Sequence, residues 1–232
     1  MTESPLVLPD LPGVPVVLRR SARARRFSLR VSRIDGGVTL TLPARARLSE
    51  AVAFAQAQTD WLRGALAKLP ALRRPGFGDL LPFEGRDLRI EAARLRAPKV
   101  EGDCLLVPPG EDRLGARLET FLKHCARARL QEASTRHAAA LGRPFKRIIL
   151  RDTRSRWGSC AADGSLSYSW RLIMAPPEVL DYVAAHEVAH LAQMNHSPAF
   201  WAEVARLMPD YAPHRAWLKR HGAALQAIRL RD

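Results

Sequence analysis

The chain predicts an α+β fold, with an N-terminal β-rich region followed by a largely helical unit. Three observations carry that reading. Short alternating apolar stretches separated by turn residues recur over residues 14–43 and again over 80–107. A long segment from Glu111 to about Leu141 repeats Leu114, Leu118 and Leu122 at helical spacing, with Cys125 on the same face. Beyond it, a hairpin signal is followed by an apolar helix that contains two histidines and a glutamate.

Taken in order, Val14–Arg19, Phe27–Arg33 and Val38–Leu42 are predicted as strands, with Asp35-Gly36-Gly37 as a turn. Ser49 is placed to cap a helix running to about Leu69. Pro70 and the stretch Arg73–Gly78 break the pattern, and Leu80–Ile90 and Val100–Val107 look like further strands. The long helix ends at Gly142-Arg143-Pro144. Arg147–Arg151 is strand-like, Asp163-Gly164 is a strong turn signal, and Ser165–Trp170 alternates polar and apolar residues. Leu172-Ile173-Met174 is expected to close that strand, and Pro176-Pro177 opens the next helix. Two more helices are expected near 198–208 and 213–228. No internal repeat is visible. The expected division is a β-rich region over 1–107 and a second domain over 108–232.

The chemistry concentrates at His186-Glu187-Val188-Ala189-His190 and at His196. Histidines four apart on a helix lie one above the other on one face, so their imidazoles can share one ion. Glu187, about 100° further round, can reach a water on that ion without being a ligand. This is the mechanical content of the H-E-x-x-H zinc hydrolase pattern. The flanking Val179, Leu180, Tyr182, Val183, Val188, Ala189 and Leu191 predict a mostly buried helix, in which such polar side chains need partners. Asn195, read as a left-handed helix terminator, and Ser197-Pro198, read as a cap followed by proline, set His196 in a corner between helices. The triad has the metzincin spacing, but Gln193 stands where that pattern needs glycine. His196 is the preferred third ligand because neutral imidazole is the commonest metal ligand; Glu203 is the competing choice.

A second informative segment lies upstream. Arg156-Trp157-Gly158-Ser159-Cys160, Trp170-Arg171-Leu172, Asp181 through Glu187, Asn195-His196-Ser197 with Phe200-Trp201, and Pro209-Asp210-Tyr211 occur in that order. With these motifs the chain resembles the YgjP-like metallopeptidase family, relatives of the SprT-like zinc proteases. The resemblance extends more weakly into the N-terminal third through Leu18–Ser21, the basic run to Phe27 and Trp61. It implies a zincin-type core with His186, His190 and His196 as zinc ligands and Glu187 as general base. Tyr168-Ser169 departs from relatives that carry an asparagine before the tryptophan. Arg154, Arg156 and Trp157 could contact substrate or could pack beneath the hairpin. Cys160 could approach the metal or serve as a small buried thiol, and His124, His137, His214 and His221 are expected in surface or packing roles.

Composition bounds the rest. The 232 residues can bury a substantial core, and 47% hydrophobic content is ordinary for a globular protein. No apolar run reaches transmembrane length, and the first residues lack the features of a signal peptide, so no membrane is expected. Three widely spaced cysteines, Cys104, Cys125 and Cys160, suggest no disulfide framework and a reducing, cytoplasmic setting. The net charge is +14, mostly from arginine clusters such as Arg19-Arg20, Arg23 to Arg26 and Arg45 to Arg47. Such a surface attracts polyanions, so nucleic acid or nucleotides are possible partners beside a peptide or protein substrate. Three readings follow: a zinc metallopeptidase, a metal-dependent hydrolase of nucleotides or phosphoanhydrides, and a nucleic-acid-associated protein with a structural metal. The absence of a P-loop in the sequence counts against the second, and Glu187 beside the triad counts against the third.

Overall fold

A computed structural model describes residues 6–32, 36–153 and 156–231. The chain forms two compact units, Met1–Leu72 and Arg73–Asp232. The turn expected at Asp35 and the possible substrate contact of Arg154 lie outside the described residues.

In the first unit β1 (Leu6–Val7), β2 (Pro15–Ser21), β3 (Ser28–Val31) and β4 (Val38–Pro43) form a sheet in the order β1-β2-β4-β3. β2 and β4 run parallel, and the outer pairs are antiparallel. Alternation puts Val16, Leu18, Val38, Leu40 and Leu42 on the buried face, where Ala51, Ala55 and Leu62 complete the core. The expected helix from Ser49 to Leu69 is two helices, α1 (Leu48–Ala57) and α2 (Thr59–Ala67). Arg47, not Ser49, stands at the N-cap. At the junction the Thr59 hydroxyl donates to the Gln56 carbonyl, and the break sits at Gln58. A short polar side chain that bonds the preceding turn competes with the helix ladder in this way.

The second unit begins with β5 (Leu80–Phe83), β6 (Arg86–Ala92), β7 (Lys99–Glu101) and β8 (Cys104–Val107). The stretch 80–90 is therefore a hairpin and not one strand, turned at Glu84-Gly85, both of positive φ. Its order, β5-β6-β8-β7, and its directions repeat those of the first sheet. The repeat is one of topology, carried by alternation without shared residues, which is why it does not show in the sequence. The expected boundary after residue 107 falls elsewhere. Leu81, Phe83, Leu88, Ile90, Leu105 and Val107 share one core with Leu118 and Leu122 of the long helix α3 (Leu114–Leu141). Those four strands thus belong with the helices that follow.

A third sheet, β10-β11-β9, is built from β9 (Arg147–Arg151), β10 (Gly158–Cys160) and β11 (Ser165–Ser169), with β10 at one edge. Asp163 holds the β10–β11 turn: its carboxylate accepts from the Ser165 N–H and from Lys146. Leu172-Ile173-Met174 does not extend the strand but lies in a 3-10 turn, Trp170–Met174, that is wholly buried. There Arg171, 3% exposed, pairs with Asp152 and donates to the carbonyls of Leu225 and Ile228. Helices α4 (Pro177–Ala189), α5 (Pro198–Leu207) and α6 (Tyr211–Gln226) complete the unit. The tail closes back on its beginning, with the Arg73 N–H donating to the Ala227 carbonyl and the Arg229 N–H to that of Arg73. No helix among the described residues is long and apolar enough to cross a membrane.

Candidate metal centre

Helix α4 starts on Pro177 with Glu178 in its first turn, both favoured there. Val179, Leu180, Tyr182, Val183, Ala184, Ala185, Val188 and Ala189 bury it, as its apolar flanks predict. His186 lies on the last helical turn and His190 stands at the C-cap. The chain then turns sharply. Asn195 does not adopt the expected left-handed conformation; its side-chain oxygen instead accepts from the Ser197 N–H at 3.1 Å. Ser197 caps α5 as predicted, accepting from the Phe200 N–H, and Pro198 follows at the first helical position.

This corner brings His186, His190 and His196 together, with one candidate ligand nitrogen from each within 4.8 Å of the others. The Nε2 atoms of His186 and His196 face each other at 3.1 Å. Nδ1 of His190 lies 2.9 Å from the Gln193 carbonyl, so that nitrogen carries the proton and Nε2 keeps its lone pair free. Among the described residues, Nδ1 of His186 is buried with no partner. Two imidazole nitrogens facing one another and a third pre-set as a bare lone pair describe a site short of a partner. Three imidazoles are an appropriate donor set for a divalent transition metal such as zinc. Burial, with the neighbouring histidines adding to it, pushes the His186 imidazolium down to about 3, and burial also lowers His190. Both rings are thus held in the neutral form that binds metals. Glu203, the competing ligand, is outside the cluster and is engaged by Arg206 at 2.9 Å.

Glu187 is 5% exposed, and burial pushes its carboxyl up to about 8, with Arg156 pulling the other way. Its position depends on Gly158, a residue to which the sequence motif alone assigns no role. A β-carbon on Gly158 would lie 2.5 Å from Glu187 Oε1 and 2.7 Å from Cδ, so β10 can approach the carboxyl only with glycine there. Partial burial, with the neighbouring Glu187 adding to it, raises the Cys160 thiol to about 11, which keeps it protonated. Trp157 turns away to pack on α6, where a β-carbon at Gly222 would come within 2.9 Å of its indole. Arg156 is exposed.

An aromatic wall backs the triad. The Phe200 ring stacks 4.3 Å from His190, and Trp201 lies 5.7 Å from His186 and 5.9 Å from His196. Tyr211 stacks on both Trp201 and Tyr182. The other histidines take packing or surface roles: His137 pairs with Asp181, His214 lies near Asp210, and His221 leans on Trp217. His190 and Glu187 lie deep and His196 is exposed, so the site opens on the His196 side.

A family model described as YgjP-like, metallopeptidase domain, matches residues 25–221. Among curated proteins none matches. Among solved structures the chain is similar to the crystal structure of the metallopeptidase zymogen of Pyrococcus abyssi abylysin, at 20% identity, over 43% of this chain and 98% of that one, with a TM-score of 0.37.

Proposed function

The chain belongs to the YgjP-like metallopeptidase family, and on that premise we propose that it is a zinc-dependent hydrolase of peptide bonds. The observation that carries the reading is the convergence of His186, His190 and His196 with the buried carboxyl of Glu187 next in sequence to the first of them. His186, His190 and His196 would hold the ion. When bound, zinc supplies Lewis acidity toward a water molecule and the scissile carbonyl.

Glu187 acts as the general base. One carboxylate oxygen accepts a proton from the attacking water as the water oxygen bonds to the carbonyl carbon. The same carboxyl then delivers that proton to the amide nitrogen as the carbon–nitrogen bond breaks, which leaves one acid and one amine. A carboxyl raised by burial is suited to both steps, since it takes and releases a proton near neutral pH, and a bound cation draws its value back down. Gly158 lets the β10 backbone lie against this carboxyl, which limits how far it can swing. The free edge of β10 offers backbone groups to an extended peptide.

Casein and nucleoside triphosphates are incubated in parallel with metal-loaded protein, with and without a chelator. Chelator-sensitive cleavage of casein is the expected result. Hydrolysis of the triphosphates with intact casein would replace the peptidase reading.

A further inference from the structure

Among the described residues, Arg215 is a cation beside the site that meets no carboxylate. Arg215, in the second turn of α6, lies with its guanidinium carbon 4.4 Å over the ring of Trp201, the same indole that flanks His186 and His196. Other arginines of this unit meet carboxylates: Arg129 meets Glu84, Arg136 meets Asp181, Arg171 meets Asp152 and Arg206 meets Glu203. Arg215 is exposed and makes no ion pair or hydrogen bond among the described residues, although Asp210 lies on its own helix's N-cap and engages His214.

The contact with the Trp201 ring leaves Arg215 with donors to spare. A guanidinium lying on an aromatic face uses its π-surface for the contact, while its five N–H donors lie in its plane and remain free at the rim. Contact with the indole restrains the side chain, so less freedom is lost when an anion docks. A planar fork held in this way matches a carboxylate in bidentate geometry.

We propose that Arg215 is a specificity-determining residue that anchors a carboxylate of the peptide substrate, either the free C-terminal carboxylate or an acidic side chain near the cleaved bond. This deepens the peptidase reading and rests on it. Trp201 is the platform that holds the fork, and Tyr211, stacked on Trp201 at 5.5 Å, steadies the platform.

The test uses three N-acetylated alanine–phenylalanine peptides: one with a free C-terminal carboxylate, one amidated, and one amidated but carrying a glutamate. Binding is measured by calorimetry to metal-loaded protein bearing Glu187→Gln, which removes turnover from the readout. One or both acid-bearing peptides should bind at least about tenfold more tightly than the plain amide, as expected for a charge-assisted bidentate contact. The tighter of the two identifies the source of the carboxylate. Adding Arg215→Gln should bring the ratio to about one, and Arg215→Lys, which keeps charge but not the fork, should recover only part of it. No preference for acid over amide, an undiminished preference in Arg215→Gln, or no binding of any peptide overturns the proposal. So does displacement of the acid peptides by a nucleoside triphosphate at lower concentration than by the amide, which would assign the anion to phosphate. The acid–amide comparison in the Glu187→Gln background stands even if Arg215→Gln fails to fold. Cleavage by the wild-type chain is scored separately: acid-selective binding without cleavage sinks the peptidase reading and leaves Arg215 as an anion anchor.

Discussion

His137 and His186 are both held in the second unit by helices that pack together, and they could hardly be more different in what surrounds them. His137, 5% exposed on α3, points Nε2 at Asp181 at 2.8 Å, and Asp181 is also held by Arg136. Among the described residues, His186, five residues beyond Asp181 on α4, has a buried Nδ1 with no partner and an Nε2 that meets another imidazole. Type and burial are therefore poor guides to a metal site. What separates the two regions is whether the ring's hydrogen-bonding capacity is met by protein. A satisfied histidine is architecture, and an unsatisfied pair converging on a third is open to the metal ion we propose.

The strongest way to break this contrast is to remove one member from each side. His186→Ala and His196→Ala should each abolish tight zinc binding, while His137→Ala should retain about one zinc per chain; elemental analysis after dialysis reads all three. Zinc retained in His196→Ala would mean that the converging rings are not the receptor. Next in size is Glu187→Gln, which should keep zinc and fold yet lower peptide turnover by roughly 10²–10⁴. Turnover close to wild type would take Glu187 out of the chemistry.

Gly158→Ala sharpens the comparison from the hairpin side. The new methyl meets the far end of a flexible side chain, so it should displace the carboxyl more than it unfolds the protein. Turnover is expected to fall roughly 10²-fold, with little movement of the thermal midpoint; the reverse pattern would make Gly158 a packing residue only. On the architectural side, His137→Ala should cost about 1–3 kcal/mol in denaturant unfolding, because Asp181 loses a buried partner. The smallest effect belongs to Glu203→Ala: zinc is kept, and stability shifts by less than about 1 kcal/mol, as for other exposed ion pairs.

The site was far more legible than the frame around it. His186, His190 and His196 lie within eleven residues, where helical periodicity and a cap fix geometry locally, and Ser197-Pro198 announces its own role. The Asp163-Gly164 turn was readable for the same reason. Contacts between distant segments leave no such mark. Nothing near Gly158 says that a carboxyl from α4 will press on it, and nothing near Trp157 points to Gly222. The helix break at Gln58 was hidden by continuous apolar spacing across it, and the Glu84-Gly85 turn by a run of strand-forming residues on both sides. The unit boundary was misplaced because alternation reveals which face of a strand is buried but not which partner buries it.

The return of the tail to residue 73 has a bearing on how the chain is made. The first unit has its own core within residues 8–62 and can close while synthesis continues. The second cannot: Arg73 waits for Ala227 and Arg229, and the buried cation of Arg171 waits for the carbonyls of Leu225 and Ile228. At about 5–20 residues per second, roughly 8–30 s pass between emergence of residue 73 and of the segment that completes it. During that interval α3 and α4 present unsheltered leucine and valine faces on the ribosome. A stalled or C-terminally clipped product would carry a finished first unit joined to a catalytic unit that never closed, the kind of species that chaperones and quality-control proteases engage.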